Sequence, residues 1–324
     1  MIKAGVIGGS GYTGGELLRL LVNHPSVEID LVFSTTRAGQ SIAQTHPDLW
    51  GVLNMAFTDT VNAAVDIVFL CLGHGNSSKF LTEHKFSAST KIVDLSNEFR
   101  LKNDAIFQKN PYIYGLPELI KTEISSANHV ANPGCFATAI QLALLPLAQS
   151  NQLQNEVHIN ATTGSTGAGV SLSPTSHFSW RNNNISWYKP FTHQHLAEIG
   201  ESLHSFGNAI GKLRFMPQRG NFTRGILATA YTVCTEPLEQ LQATYRSFYA
   251  DAPFVQVVDE PVHLKQVVNT NQCHVHLHKH EDVILITSVI DNLIKGASGQ
   301  AVQNMNLMFG WAEDLGLNLK ASIF

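Results

Sequence analysis

Short apolar runs alternate with leucines at helical spacing through the first third of the chain. Residues 4–7 form one such run, which ends at Gly8. Over residues 15–22, Leu17, Leu18 and Leu21 recur on one helical face. Residues 27–33 predict a second strand. Residues 65–72 and 91–95 predict two more, the former apolar throughout, as a strand buried on both faces must be. Strand, helix and strand in that order predict a parallel, doubly wound sheet.

The pattern changes in the middle. Residues 136–148 predict an apolar helix and residues 157–162 a strand, followed by the glycine-rich Gly164-Ser165-Thr166-Gly167-Ala168-Gly169. Residues 171–189 are polar, aromatic and aperiodic, which predicts a long functional loop. Strand-like runs follow at 226–233, 254–258, 273–277 and 283–290, with a helix expected at 238–249. A last helix is expected over about 298–311. The fold class expected is therefore α/β: a Rossmann-type domain plus an α+β catalytic domain with a mainly antiparallel sheet. The expected boundaries are 1–134 with 296–324 for the first domain, and 135–295 for the second.

Composition narrows the function classes. At 324 residues with 44% hydrophobic and 14% charged positions, the chain is long enough for two cores and too apolar for disorder. A net charge of −4 gives no basic footprint for nucleic acid. No apolar run reaches bilayer length, and Met1-Ile2-Lys3 leads straight into a strand without an export signal. Cys71, Cys135, Cys234 and Cys273 are scattered without a C-x-x-C pair, which disfavours a disulfide framework or a structural zinc site. A cytoplasmic setting is expected.

Two features carry chemistry. Gly8, Gly11 and Gly14 stand in a G-x-x-G-x-x-G loop between a strand and a helix, where glycines permit a tight turn and free N–H groups can meet a pyrophosphate. Ser10, Tyr12 and Thr13 belong to the same loop. After the second strand, where an NAD site usually carries an acid, the chain has Ser34, Thr35, Thr36 and Arg37. Hydroxyls and a guanidinium suit a 2′-phosphate, so NADP(H) is the expected cofactor. The second feature is Cys135, which opens the 136–148 helix after Asn132-Pro133-Gly134. A helix N-terminus favours a thiolate, whereas the other cysteines lie in apolar strands as fillers. A nucleophile needs a helper. The richest candidate among fifteen histidines is His193-Gln194-His195, with Glu198 able to orient an imidazole. His274, His276, His278 and His280 alternate and would share a strand face. The wetter face of a strand or an oligomer contact is preferred there over a metal site, so no metal is expected.

Eight ordered segments resemble the N-acetyl-γ-glutamyl-phosphate reductase family, within the aspartate-semialdehyde-dehydrogenase-like superfamily. They are residues 8–14 (GGSGYTG), 94–101 (DLSNEFRL), 114–119 (YGLPEL), 132–135 (NPGC), 164–169 (GSTGAG), 193–199 (HQHLAEI), 224–227 (RGIL) and 291–306 (DNLIKGASGQAVQNMN). The resemblance implies Cys135 as nucleophile and His193 as favoured acid/base, with His195 and Glu198 in support. It implies substrate contacts from Arg100, Asn132, Tyr188 and Arg224. It further implies Asn292, Gly296 and Gln300 near a nicotinamide, with Gly73, Ser165 and Gly167 as other cofactor contacts. Two positions depart from the family pattern. Val170 stands where a basic residue is common, and Gln218-Arg219-Gly220-Asn221-Phe222 replaces a His-Leu-x-Pro segment. Arg219 restores a positive charge there.

The activity so implied is NADPH-dependent reduction of a small-molecule acyl phosphate through a cysteine thioester. The product would be N-acetylglutamate 5-semialdehyde with phosphate, a step toward arginine. The N-acyl group, acetyl or succinyl, is left open by the departures. A homodimer or homotetramer is expected, with neither nucleic acid nor membrane as partner. The rivals are aspartate-semialdehyde dehydrogenase, with the same chemistry on a shorter substrate, and a non-catalytic NADP-binding module. A thiol hydrolase would leave the 8–14 loop unexplained.

Overall fold

A computed structural model of the chain describes residues 1–73 and 75–323. The chain divides into two compact units, Met1–Gly134 with Ala297–Asn318, and Cys135–Gly296 with Leu319–Phe324.

The first unit runs β1 (Ile2–Ile7), α1 (Tyr12–Leu21), β2 (Val27–Phe33), α2 (Ile42–Thr45), β3 (Ile67–Leu70), α3 (Ser77–Glu83), β4 (Lys91–Asp94), β5 (Ile106–Phe107), β6 (Asn110–Pro111), β7 (Ile113–Tyr114), α4 (Pro117–Ser126) and β8 (His129–Ala131). Its main sheet has the order β2-β1-β3-β4-β8-β7, with every pairing parallel. The fully buried β3 explains why its sequence shows no alternation. The chain leaves β1 toward β2 and then crosses back to β3. The β1/β3 boundary is therefore a topological switch point, where open α/β sheets take their ligands. The helix Gly299–Met308 is buried along its whole length and packs on α4 and α1.

The second unit runs α5 (Cys135–Gln149), β9 (Val157–Thr163), α6 (Phe178–Arg181), β10 (Ser186–Trp187), α7 (His195–His204), β11 (Leu213–Arg219), β12 (Ile226–Val233), α8 (Leu238–Phe248), β13 (Val255–Val258), β14 (Cys273–His280) and β15 (Val283–Ile290). The sheet order is β10-β11-β9-β12-β15-β14-β13. The β11–β9 and β13–β14 pairs are parallel, and the other four are antiparallel. Buried and half-exposed residues alternate along β9 and β12, as period-two geometry requires of a sheet covered on one face. That face packs on α5. His274, His276, His278 and His280 fall on the wetter side of β14.

Helix α5 holds the core of this unit, with Phe136 through Ala148 buried. Pro146 lies inside it and has no N–H to give the carbonyl one turn earlier, that of Leu142. The Tyr249 hydroxyl donates to that carbonyl at 2.6 Å, and the Tyr245 hydroxyl donates to Ala143 at 2.5 Å. The proline is thus accommodated by two phenols from α8 and its C-terminal end.

Strand β11 and helices α3 and α4 escape a reading by periodicity. β11 contains Pro217 and two arginines, and α3 is only seven residues long. The aperiodic 171–189 stretch contains the short α6 and β10.

Candidate active site

In the first unit, the loop after β1 is built by contacts that only glycine allows. Gly8 has φ +81°, and a Cβ there would meet the Cys71 carbonyl oxygen at 2.5 Å. A Cβ on Gly14 would meet the Gly9 Cα at 2.7 Å, so that glycine lets α1 close on the turn. Gly11 differs, since a Cβ there would meet only the Gly8 carbonyl oxygen, at 3.8 Å. It sits at the N-cap of α1 without a capping side chain, so among the described residues the first N–H groups of the helix have no side-chain cap. Tyr12 and Thr13 form its first turn, with Tyr12 exposed. This is the geometry of an anion cradle.

Hydroxyls extend the cradle toward the end of β2. Ser10 Oγ lies 3.2 Å from Ser34 Oγ, which lies 3.4 Å from Thr36 Oγ1. Arg37 is exposed and donates to Gln40 Oε1 at 3.3 Å. Gly73, after β3, is exposed and accepts from Asn76 Nδ2 at 3.0 Å. A dinucleotide with a 2′-phosphate fits this donor set: a glycine-lined turn, three hydroxyls and an exposed cation with no acid at the strand end.

Two expected substrate contacts of this unit hold its own backbone. Arg100 is buried and donates through Nε to the Asn132 carbonyl at 2.9 Å and through Nη2 to the Leu95 carbonyl at 3.1 Å. Asn132 donates from Nδ2 to the Ala297 carbonyl and accepts at Oδ1 from Asn304. Both fix the Asn132-Pro133-Gly134 turn that precedes Cys135. Gln300 is fully buried in the last helix.

In the second unit, Cys135 is the first residue of α5 and is partly exposed. The helix positive end favours its thiolate. Cys234 and Cys273 are buried, and burial pushes the Cys71 thiol up, with Asp94 adding to the shift. Next to Cys135, rings from α5, α7 and the loop before α7 come together. Phe136 meets His193 edge-on at 5.5 Å, and His193 meets Tyr188 at 5.7 Å and His195 at 4.6 Å. Burial pushes the Tyr188 hydroxyl up to about 12, with the Cys135 sulfur contributing and Arg219 opposing.

His193 and His195 are both nearly buried. Burial, reinforced by the Lys189 charge, lowers His193 to about 4, so it is neutral near pH 7. Its Nδ1 accepts the His195 backbone N–H at 3.2 Å, which leaves the ring proton on Nε2. Glu198 faces His195 rather than His193, with Oε1 3.8 Å from Nε2.

The remaining expected residues brace the walls. Arg224 forms a two-point pair with the buried Asp291, at 3.1 Å from Nε and 3.2 Å from Nη2. Asn292 accepts from the Gly225 N–H at 2.7 Å and donates to Thr166 Oγ1 at 3.0 Å, tying down the loop that carries Ser165 and Gly167. Gly296 lies against Cys135: a Cβ there would sit 2.8 Å from the cysteine Cβ. Sequence reasoning gave no role to Asp291 or Arg181. An acid directly after a long apolar strand was the available signal for Asp291, and nothing in the sequence marks Arg181 within its irregular segment.

Residues 3–127 match the family model described as semialdehyde dehydrogenase, NAD binding domain, and residues 135–292 match semialdehyde dehydrogenase, dimerisation domain. Solved structures agree on the fold. A probable aspartate-semialdehyde dehydrogenase from Pseudomonas aeruginosa superposes with a TM-score of 0.73 at 16% identity, covering 95% of this chain and 98% of that one. Aspartate semialdehyde dehydrogenase II from Vibrio cholerae gives 0.71 at 16% identity, covering 96% and 99%. The fold is therefore that of the semialdehyde dehydrogenases. Relatives named N-acetyl-gamma-glutamyl-phosphate reductase are 60% identical in Flavobacterium johnsoniae, 57% in Christiangramia forsetii and 52% in Phocaeicola vulgatus, each over all of both chains. The chain belongs to the N-acetyl-γ-glutamyl-phosphate reductase family. Among the described residues, no helix is long and apolar enough to cross a membrane.

Proposed function

We propose that the chain reduces N-acetyl-γ-glutamyl phosphate to N-acetylglutamate 5-semialdehyde with release of phosphate, using NADPH, as a step toward arginine. Full-length identity of 60% to a relative of that name supports the reaction. The observation that carries the mechanism is Cys135, a partly exposed thiol opening a buried helix whose next residue, Phe136, packs on His193.

The Cys135 thiolate attacks the γ-carbonyl carbon, and the phosphate leaves with the electron pair of the broken C–O bond. A thioester to Cys135 results. Bound NADPH supplies hydride to such a carbonyl. The oxyanion then formed on carbon needs donors, and His193 offers Nε2–H as a neutral imidazole. Such a donor is worth about 3 kcal/mol. Collapse expels the Cys135 thiolate and frees the aldehyde, without any net proton supplied by the protein. Ser10, Ser34, Thr36 and Arg37 hold the cofactor's ribose phosphate, and the N–H groups at the start of α1 hold its pyrophosphate. Asn132 and Arg100 position the turn before Cys135, and Asp291 positions Arg224.

The half-exposed sheet face and the name of the matching dimerisation model support assembly as a homo-oligomer. Purified chain is assayed in the phosphate-dependent reverse direction with N-acetylglutamate, N-succinylglutamate and aspartate semialdehydes. Turnover of the first supports the reading. Turnover of aspartate semialdehyde alone overturns it.

A further inference from the structure

Arg219 ends β11 in the same unit as Cys135, where its guanidinium lies over the Tyr188 ring at 4.8 Å. The Tyr188 hydroxyl lies close enough to Arg219 and to Cys135 for both charges to act on it. Arg219 Nε is shielded from water and has no acceptor among the described residues. Turning the guanidinium toward a new acceptor therefore breaks no bond at Nε.

A second guanidinium stands behind it. Arg181 is buried and donates to the Arg219 carbonyl at 2.6 Å, and otherwise, among the described residues, only to the Thr175 carbonyl and Ser186 Oγ. Arg181 is lowered first by burial and then by the charge of Arg219. Lys189 adds a third positive charge near His193. Among the described residues no carboxylate pairs with any of the three. Like charges brought together in a partly buried site without an acid are unfavourable unless an anion completes them. A guanidinium fork is the side chain best matched to a carboxylate or phosphoryl group.

We propose that Arg219, backed by Arg181, selects substrate by binding an oxyanion, carboxylate or phosphoryl, that the substrate presents beside Cys135. Arg219 is then a specificity-determining residue. The inference rests on the acyl-phosphate reading above for the identity of the substrate, but not for the charge of the site.

Two measurements on Arg219→Gln and Arg219→Lys separate the two ideas. The first compares alkylation of Cys135 by iodoacetate and by the neutral iodoacetamide, read by peptide mass. In the native chain the anionic reagent is favoured. Arg219→Gln lowers the iodoacetate-to-iodoacetamide rate ratio roughly tenfold and Arg219→Lys lowers it less, because a point charge keeps attraction but not the fork. An unchanged ratio in a folded Arg219→Gln chain overturns the proposal. The second is reverse-direction kinetics. A tenfold rise in KM for inorganic phosphate alone assigns the anion as phosphoryl, and a similar rise in KM for the semialdehyde alone assigns it as carboxylate. A fall in kcat with both KM values unchanged overturns the proposal. If native chain shows no phosphate-dependent turnover while the alkylation ratio still collapses in Arg219→Gln, the acyl-phosphate reading fails and the anion site stands.

Discussion

Gly296→Ala tests how tightly Cys135 is held. The added Cβ would lie 2.8 Å from the Cys135 Cβ, 3.2 Å from its Cα and 3.3 Å from the Asp291 carbonyl oxygen. Carbon atoms in contact prefer about 3.5–4.0 Å, so one wall must move by a good part of an ångström. Neither wall gives easily. The Cys135 Cβ is fixed by the backbone at the start of a fifteen-residue buried helix, and no rotamer change moves it. On the other side, Gly296 N–H donates to the Asp291 carbonyl at 2.9 Å. The Asp291 carboxylate accepts from the backbone of Leu293 at 2.8 Å and Asn269 at 2.7 Å, besides pairing with Arg224. Overpacking against rigid neighbours costs about 1–3 kcal/mol, which lowers Tm by a few degrees in a chain of this size. Displacing a nucleophile by this much costs roughly a hundredfold in turnover. Calorimetry, peptide-resolved alkylation of Cys135 and steady-state kinetics read the three effects. Native Tm, alkylation rate and kcat in Gly296→Ala would refute the reasoning. A raised NADPH KM with native Cys135 alkylation would move the role of Gly296 to the cofactor.

Other consequences follow from the same geometry. With His193 lowered to about 4, kcat carries no histidine limb between pH 5.5 and 7.5, and His193→Ala reduces kcat about a hundredfold at every pH in that window. A limb near pH 6.5 that disappears in His193→Ala would contradict this. The same shift makes the unfolded chain bind more protons at this site between about 4 and 6.5, so the His193 contribution to stability rises with pH across that window and is flat above it. His24, His129 and His274, also lowered by burial, act in the same direction. Denaturant midpoints measured from pH 7 down to 4.5 check the sign. Tyr249→Phe leaves the Leu142 carbonyl without its phenol donor and lowers stability by about 1–2 kcal/mol with little change in kcat, which chemical denaturation and kinetics test together. Arg37→Ala raises KM for NADPH at least tenfold more than for NADH, and equal effects on both would remove the 2′-phosphate assignment.

The backbone plan was open to reading because its signals are local. Val27–Phe33, Ile226–Val233 and Val283–Ile290 are continuous or alternating apolar runs, and the observed strands have those bounds. β11 was hidden because Pro217 and flanking arginines break its pattern, yet it pairs in parallel with β9 over its whole length. The candidate site was legible only as residue types. That Gly296 lies against Cys135, or that Glu198 faces His195 rather than His193, depends on segments far apart in sequence. Arg100, Asn132 and Asn292 have the chemistry of ligand-binding residues, and their hydrogen bonds to backbone appear only once the turns they hold are folded. Arg181 is a lone arginine in an aperiodic stretch, and its proximity to Arg219 is wholly tertiary.

Acyl transfer to Cys135 precedes reduction in the proposed reaction. Enzyme mixed with N-acetyl-γ-glutamyl phosphate in the absence of NADPH, quenched in acid and mapped by mass spectrometry, tests it directly. The expected result is a burst of phosphate stoichiometric with enzyme and an acyl adduct on the peptide containing Cys135, both lost in Cys135→Ala. Phosphate release that requires NADPH, or an adduct on any other residue, would contradict it.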